Sequence, residues 1–225
     1  MRIEHHAFQP ADLVAGHLAL DLANTVTARD TQPRDWLDDY DALLRWARQS
    51  GHYARADLAK LEELANAEPA KAATALNRCK SLREALCAIL YALAQDTPPA
   101  ADDLATLDKA RLAASSAARL VARKGRLLAE WSVERSGPDL IAHVVTAHAI
   151  DLLKDAQLDR LRICDGHDCG WVFIDSSKNG RRRWCDMATC GNVAKARRHQ
   201  QRTSAALNRA QESAQTRQIA RPGGC

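Results

Sequence analysis

The chain has 225 residues, of which 46% are hydrophobic and 27% charged but only 4% aromatic, with a formal net charge of +4. That length accommodates one large domain plus a small appendage, and the scarcity of aromatics leaves aliphatic side chains and alanine to build the core, which suits packed helices. No apolar run qualifies as a transmembrane helix and the opening MRIEHHAFQPAD lacks a signal-peptide pattern, so a cytoplasmic protein without membrane engagement is expected.

Residues 17–26, HLALDLANTV, read as a short helix because alanine and leucine outweigh the β-branched residues. Residues 35–50 place Trp36, Tyr40, Leu43, Leu44 and Ala47 at helical spacing, with Gly51 where a left-handed cap belongs. Helices follow over 54–67 and 70–95. The second carries Leu76, Cys79, Leu82, Arg83, Leu86, Ile89, Leu90 and Leu93 and stops at Asp96 to Pro99. Cys79 and Cys87 read there as small buried hydrophobes, and Cys225 as an exposed tail thiol. The stretch 101–124 continues as helix, and the alternation in 125–134 fits a strand. After Pro138, Ile141, Val144, Val145, His148 and Leu152 form the apolar stripe of another helix. Residues 158–164 read as a short strand or extended linker.

Two cysteine pairs then share one spacing, Cys164-x4-Cys169 and Cys185-x4-Cys190, with 15 residues between the inner members. Four thiolates in symmetric pairs match tetrahedral Zn(II), and a short polar segment gains folding energy from such a staple. A closed four-thiolate set leaves no open coordination position for zinc catalysis. Trp171 to Ile174 reads as a strand, Lys178-Asn179-Gly180 as a turn into a second strand at 181–184, and 191–210 as a helix. The expected fold is mainly α: a helical domain over 1–159, a small zinc-stapled β-hairpin/helix module over 160–210, and a flexible tail over 211–225.

Charge is divided along the same line. Residues 1–159 hold 19 basic and 23 acidic side chains, whereas 160–202 hold 10 basic and 4 acidic. The module stays positive after zinc and four thiolates are counted, so it attracts phosphates while the first domain is repelled by them. Lys178, Arg181, Arg182, Arg183, Lys195, Arg197, Arg198 and Arg202 supply the cations, and Asn192 an amide suited to a base edge. Alternation puts Arg181 and Arg183 on one side of their segment and Arg182 on the other, with at least one facing the helix or the carboxyl-rich loop. Trp171 and Trp184 read as local core.

The text CDGHDCGWVFIDSSKNGRRRWCDMATCGNVAKARRHQQR at 164–202 resembles the CGNR zinc-finger family, and GHLALDLANTV at 16–26 resembles that family's opening Gly-x-x-x-x-Asp-x-x-Asn-Thr pattern. The resemblance implies that Cys164, Cys169, Cys185 and Cys190 ligate one structural zinc, that the finger binds DNA, and that the helical domain senses or regulates. Val193 stands where the family tetrad has arginine.

His17, Asp21 and Asn24 share a helical face beside Thr25, and with Arg83 they are candidates to line a ligand pocket; the alternative is a set of buried hydrogen bonds that fixes helix order. No activated nucleophile, HExxH motif or glycine-rich phosphate loop is present, so no catalytic residue is expected. The expected function is a DNA-binding transcriptional regulator whose partners are duplex DNA, a small-molecule effector and a second copy of the chain. RNA binding is the first alternative, and an enzyme using Asp21, His17 and Arg83 the second.

Overall fold

The computed structural model describes residues 1–204. The expected tail at 211–225 with Cys225, and positions 205–210 of the expected last helix, lie outside the described residues. By packing, the described residues divide into two units, Met1–Cys185 and the segment that begins at Asp186.

The first unit is a helical body. Helix α1 (Leu18–Ala23) is capped by the His17 ring, whose Nδ1 accepts the Ala19 N–H at 3.3 Å. Strands β1 (Arg2–Ile3), β2 (Val26–Thr27) and β3 (Arg34–Asp35) form a small sheet in the order β1-β3-β2, with β1 parallel and β2 antiparallel to β3. Helix α2 (Tyr40–Ser50) starts later than the periodicity implied. Asp35 is taken by the sheet, and Asp39 becomes the cap, accepting the Ala42 N–H at 2.7 Å. Gly51 ends it at φ 72°, as expected.

Helices α3 (Arg55–Ala67) and α4 (Pro69–Ala94) follow, with Pro69 in the first turn of α4. Leu18, Leu22, Leu43, Trp46, Leu61 and Leu86 are buried in the core. Cys79 and Cys87 are buried free thiols, pushed by that burial up to about 12 and about 11 respectively, and so behave as hydrophobes.

Helix α5 (Ala101–Ala117) corrects the reading of helix through 124. The Trp131 indole donates to Ala114 O at 2.8 Å, and the Arg135 guanidinium donates to Ala117 O at 2.8 Å and Ser116 O at 3.1 Å, capping the last carbonyls from outside. The chain then forms a hairpin of β4 (Arg119–Arg123) and β5 (Arg126–Glu130). Lys124 and Gly125 make its two-residue turn at φ 49° and 74°, as type I′ geometry requires. After α6 (Val133–Ser136) and a 3-10 turn holding Pro138, α7 (Leu140–Leu152) buries Leu140, Ile141, Val145, Ala149 and Leu152. Among the described residues no helix is long and apolar enough to cross a membrane.

Strands β6 (Leu161–Ile163) and β7 (Val172–Ile174) pair antiparallel, Arg162 opposite Phe173. This revises the expected pairing: β7 takes as its partner the preceding segment 161–163, and 181–184 is irregular. The hairpin is part of the helical body. Asn24, the last residue of the α1 turn, donates to Val172 O and accepts from Val172 N, both at 2.9 Å. Ile174 N donates to Ala15 O at 3.0 Å and Ala28 N to Cys169 O at 2.9 Å, while Trp171 packs edge-on to Trp36 at 5.6 Å. A mainly α region followed by a cysteine-rich hairpin and helix is therefore the architecture, as the composition implied.

In the second unit, Asp186 caps a wide turn over Met187–Gly191, accepting from Thr189 N at 2.9 Å and Thr189 Oγ1 at 3.1 Å. Residues 192–204 are helical up to the last described position.

Candidate metal centre and basic surface

The Sγ atoms of Cys164, Cys169, Cys185 and Cys190 all lie within 4.8 Å of one another. A tetrahedron with zinc–sulfur bonds of about 2.3 Å has sulfur–sulfur edges of about 3.8 Å, and Cys169 Sγ to Cys185 Sγ measures 3.8 Å. The donor set thus fits one structural Zn(II) and leaves no protein ligand position over. Cys164 Sγ also accepts the N–H groups of Gly166 (3.3 Å) and Cys185 (3.2 Å), so backbone amides are aimed at the sulfur a metal would charge. Cys164 N donates to Trp171 O at 2.8 Å, which ties the first knuckle to β7. Gly170 sits at φ +69° with the Tyr91 hydroxyl 2.9 Å from where a Cβ would be, and that hydroxyl donates to its carbonyl; only glycine allows the approach.

Around the cysteines the arginines separate into two kinds. Arg182 lies over the Phe173 ring at 4.8 Å and donates from Nε to Trp184 O at 2.8 Å, and its backbone N–H is held by Asp175 at 2.8 Å. Arg183 pairs with Asp165 at 2.7 Å and covers Trp184 at 5.4 Å, the expected contact with the carboxyl-rich loop. These two secure the loop. Lys178 and Arg181 are exposed. Burial of Trp171 meets the expectation of a packing role.

Asp175, which the sequence pattern did not single out, is fully buried and organises this loop. Burial alone would raise its carboxyl, but hydrogen bonds from Ser177 and from the Arg182 amide outweigh it and hold the group down to about 2. A D-x-S turn signature at 175–177 was the available clue. On the helix from 192, Asn192, Lys195, Arg197, Arg198 and Arg202 are all exposed. Asn192 donates to Ala188 O at 3.0 Å and Arg198 Nε to Ala194 O at 3.4 Å. No acidic residue occurs from 187 to 204, and Val193 is half exposed among these cations.

The residues proposed as ligand contacts are not all brought together. His17 and Asp21 line a cleft of about 540 Å³ with Gln49, Ser50, His52 and His148. His148 lies 5.8 Å from the His17 ring and 5.2 Å from the His52 ring. Burial, then the neighbouring imidazoles, lowers the pKa of His17 and His148. Burial pushes the Asp21 carboxyl up to about 7 against the hydrogen bond it accepts from Ala15 N at 3.1 Å.

Asn24 is spent on Val172, and Thr25 donates to Leu22 O at 2.7 Å while accepting from Arg83 Nη1 at 3.1 Å. Arg83, only 1% exposed, is bidentate to Asp35 at 2.6 and 3.0 Å and donates to Glu84 at 2.8 Å, with Lys80 also on Asp35. Burial raises Asp35, yet Arg83 and Lys80 outweigh that and keep it ionised. Arg83 therefore anchors Thr25, just before β2, and β3 to α4 rather than entering the cleft. His52 and His148 entered the cleft unforeseen, because a helix stripe does not reveal which loop faces it.

Two family models cover these regions. Residues 160–203 match the CGNR zinc finger, and residues 16–156 match the family described as "Putative stress-induced transcription regulator", ABATE. The chain belongs to the ABATE family. The description of ABATE names a regulatory role and no catalytic one, and this member carries a zinc-binding module at 160–203. The ABATE opening at 16–25 is the segment that clips onto the finger: Asn24 holds β7, and Asp21 holds the Ala15 amide whose carbonyl receives Ile174. No curated protein matches this ABATE chain.

Proposed function

We propose that the protein is a cytoplasmic transcriptional regulator that contacts duplex DNA through its zinc-stapled finger and takes a small polar effector in the cleft of His17, Asp21, His52 and His148. One observation carries the DNA reading: the helix at 192–204 follows directly on Cys190 and exposes Asn192, Lys195, Arg197, Arg198 and Arg202 without a single carboxylate. Such a surface suits phosphate contact and groove entry. Lys178 and Arg181 add exposed cations on the preceding loop, whereas Arg182 and Arg183 act by holding that loop in shape. The cleft reading rests on His17 and Asp21 with two imidazoles that the fold adds; Asn24, Thr25 and Arg83 support it from behind as scaffold.

Titrating salt against binding of the zinc-loaded chain to genomic duplex fragments, with RNA as competitor, tests the reading. Selective duplex retention whose log affinity falls linearly with log salt is expected. Alanine at Lys195, Arg197, Arg198 and Arg202 keeps helix propensity, so it should flatten that slope by about 0.9 for each phosphate left unneutralised while zinc content stays constant. An unchanged slope removes this helix from the interface, and preference for RNA transfers the reading to RNA binding.

A further inference from the structure

The hairpin β4–β5 is a two-stranded ribbon to which no further strand of the described residues pairs. Its apolar residues are displayed rather than buried: Leu120 is 71% exposed, Leu127 73% and Leu128 44%. Isolated ribbons of this size are marginal in water, and open apolar edges recruit further strands. The two-residue turn makes Arg123 and Arg126 a hydrogen-bonded pair, so 121/128 and 119/130 also bond inward. The N–H and C=O groups of Leu127 and Ala129 then point out from β5, and those of Leu120 and Ala122 out from β4. No described residue bonds to the outward groups of Leu127 and Ala129.

Charge along the strands decides which edge is used. Within the hairpin Arg126 lies opposite another cation, Arg123, and Arg123 is already satisfied by its ion pair with Glu130. Arg126 is thus exposed with a like charge across from it and no ion-pair partner among the described residues. An antiparallel pairing of β5 with β5 of a second copy must match outward residues with outward residues. Centring it on Leu128 pairs Leu127 with Ala129 of the copy through backbone hydrogen bonds and sets Leu128 against Leu128. The same register places Arg126 directly opposite Glu130, twice, once on each side of the axis. Shifting it by one outward step in either direction puts Arg126 or Glu130 opposite Leu128 instead. The equivalent full-length pairing of β4 with itself sets Arg119 against Arg123 twice, which is repulsive. A β4-to-β5 contact between copies is heterologous and gives a ring or an open chain rather than a twofold dimer.

We infer that β5 is a dimerisation strand, joining two copies of this chain about a twofold axis at Leu128 into a four-stranded antiparallel sheet. The pairing removes the edge that the fold leaves open and brings Arg126 to a carboxylate, that of Glu130 of the copy, which it shares with the copy's Arg123. It would present two zinc modules per particle, so two weak phosphate-contacting surfaces act at high effective concentration.

Sedimentation equilibrium of the full-length zinc-loaded chain, with Arg126→Glu, Glu130→Arg and their one-to-one mixture, tests this. Arg126→Glu is mild for the hairpin itself because the new carboxylate faces Arg123, yet it meets Glu130 of the copy. The wild type is expected to dimerise reversibly, and each single variant to dimerise at least about tenfold more weakly. The mixture should regain the wild-type affinity, since one strand then carries two carboxylates and the other two guanidinium groups. Circular dichroism and zinc content must match the wild type in each variant. A wild type that stays monomeric up to about 100 µM overturns the inference. So does a dimer indifferent to Arg126→Glu, or a mixture no tighter than its components.

Discussion

Asn24 is 2% exposed and makes two reciprocal hydrogen bonds of 2.9 Å to one residue, Val172, the first of the strand that supports the first cysteine pair. Asn24→Ala removes both partners and strands a buried N–H and a buried C=O, each costing about 1–3 kcal/mol, so a loss of roughly 2–6 kcal/mol is expected. Asn24→Asp is the sharper probe. Its carboxylate still accepts from Val172 N but cannot donate to Val172 O, which then faces a negative charge in a buried site. Denaturant unfolding of the zinc-loaded chain should show both midpoints falling at unchanged slope. Zinc transfer to a chromophoric chelator should accelerate in both variants, because the Trp171 carbonyl that binds the Cys164 amide immediately precedes β7. Midpoints within about 0.5 kcal/mol of the wild type, a margin typical of surface substitutions, would refute the view of Asn24 as the clip between the two family modules.

Other outcomes follow from neighbouring geometry. Arg83→Met should cost at most about 3–5 kcal/mol at neutral pH, the figure for a buried charge left uncompensated, because Lys80 stays on the buried Asp35. That deficit should shrink on acidification: the lowered Asp35 pKa of the wild type gives stability present above its unfolded value and lost as pH falls, and the variant, with Lys80 and the Leu37 amide still on Asp35, has less of it to lose. Asp21 has the opposite sign. With its folded value raised to about 7, its stabilisation is complete below about pH 4 and is lost as pH climbs through 7, amounting to roughly 4 kcal/mol at most. Melting temperatures of Asp21→Asn should therefore gain on the wild type between pH 5 and pH 8, and a constant difference would show that burial does not perturb this carboxyl. Cys185→Ser should reduce zinc content measured by elemental analysis and loosen the loop around it, whereas full stoichiometry would contradict four-thiolate binding.

The metal centre was legible because spacing is a local property: two Cys-x4-Cys pairs and an intervening strand and turn constrain ligand approach almost irrespective of the rest. Family membership was legible for the same reason, since 16–26 and 164–202 carry their patterns in contiguous text. Most helices were set by local signals too, such as Gly51 after α2 and Pro69 at the head of α4. Where helix yielded to strand at 119–123, the stop came from Trp131 and Arg135 capping α5, and neither cap could be inferred from periodicity. Pairing of β7 with 161–163 likewise depended on α1, whose Asn24 occupies the opposite side of the strand.

What the sequence determined by itself was the inventory: a mainly α chain, four thiolates in ligand spacing, and cations concentrated after residue 160. Only the tertiary structure decided how that inventory is used. It withdrew Asn24, Thr25 and Arg83 from the cleft and brought in His52 and His148. It also distinguished arginines that fasten a loop from those left open to solvent. The physical reason is that a buried polar group takes whichever partner the fold brings within about 3 Å, and for Arg83 and Asp35, or Asn24 and Val172, that partner lies 48 or 148 residues away in the chain.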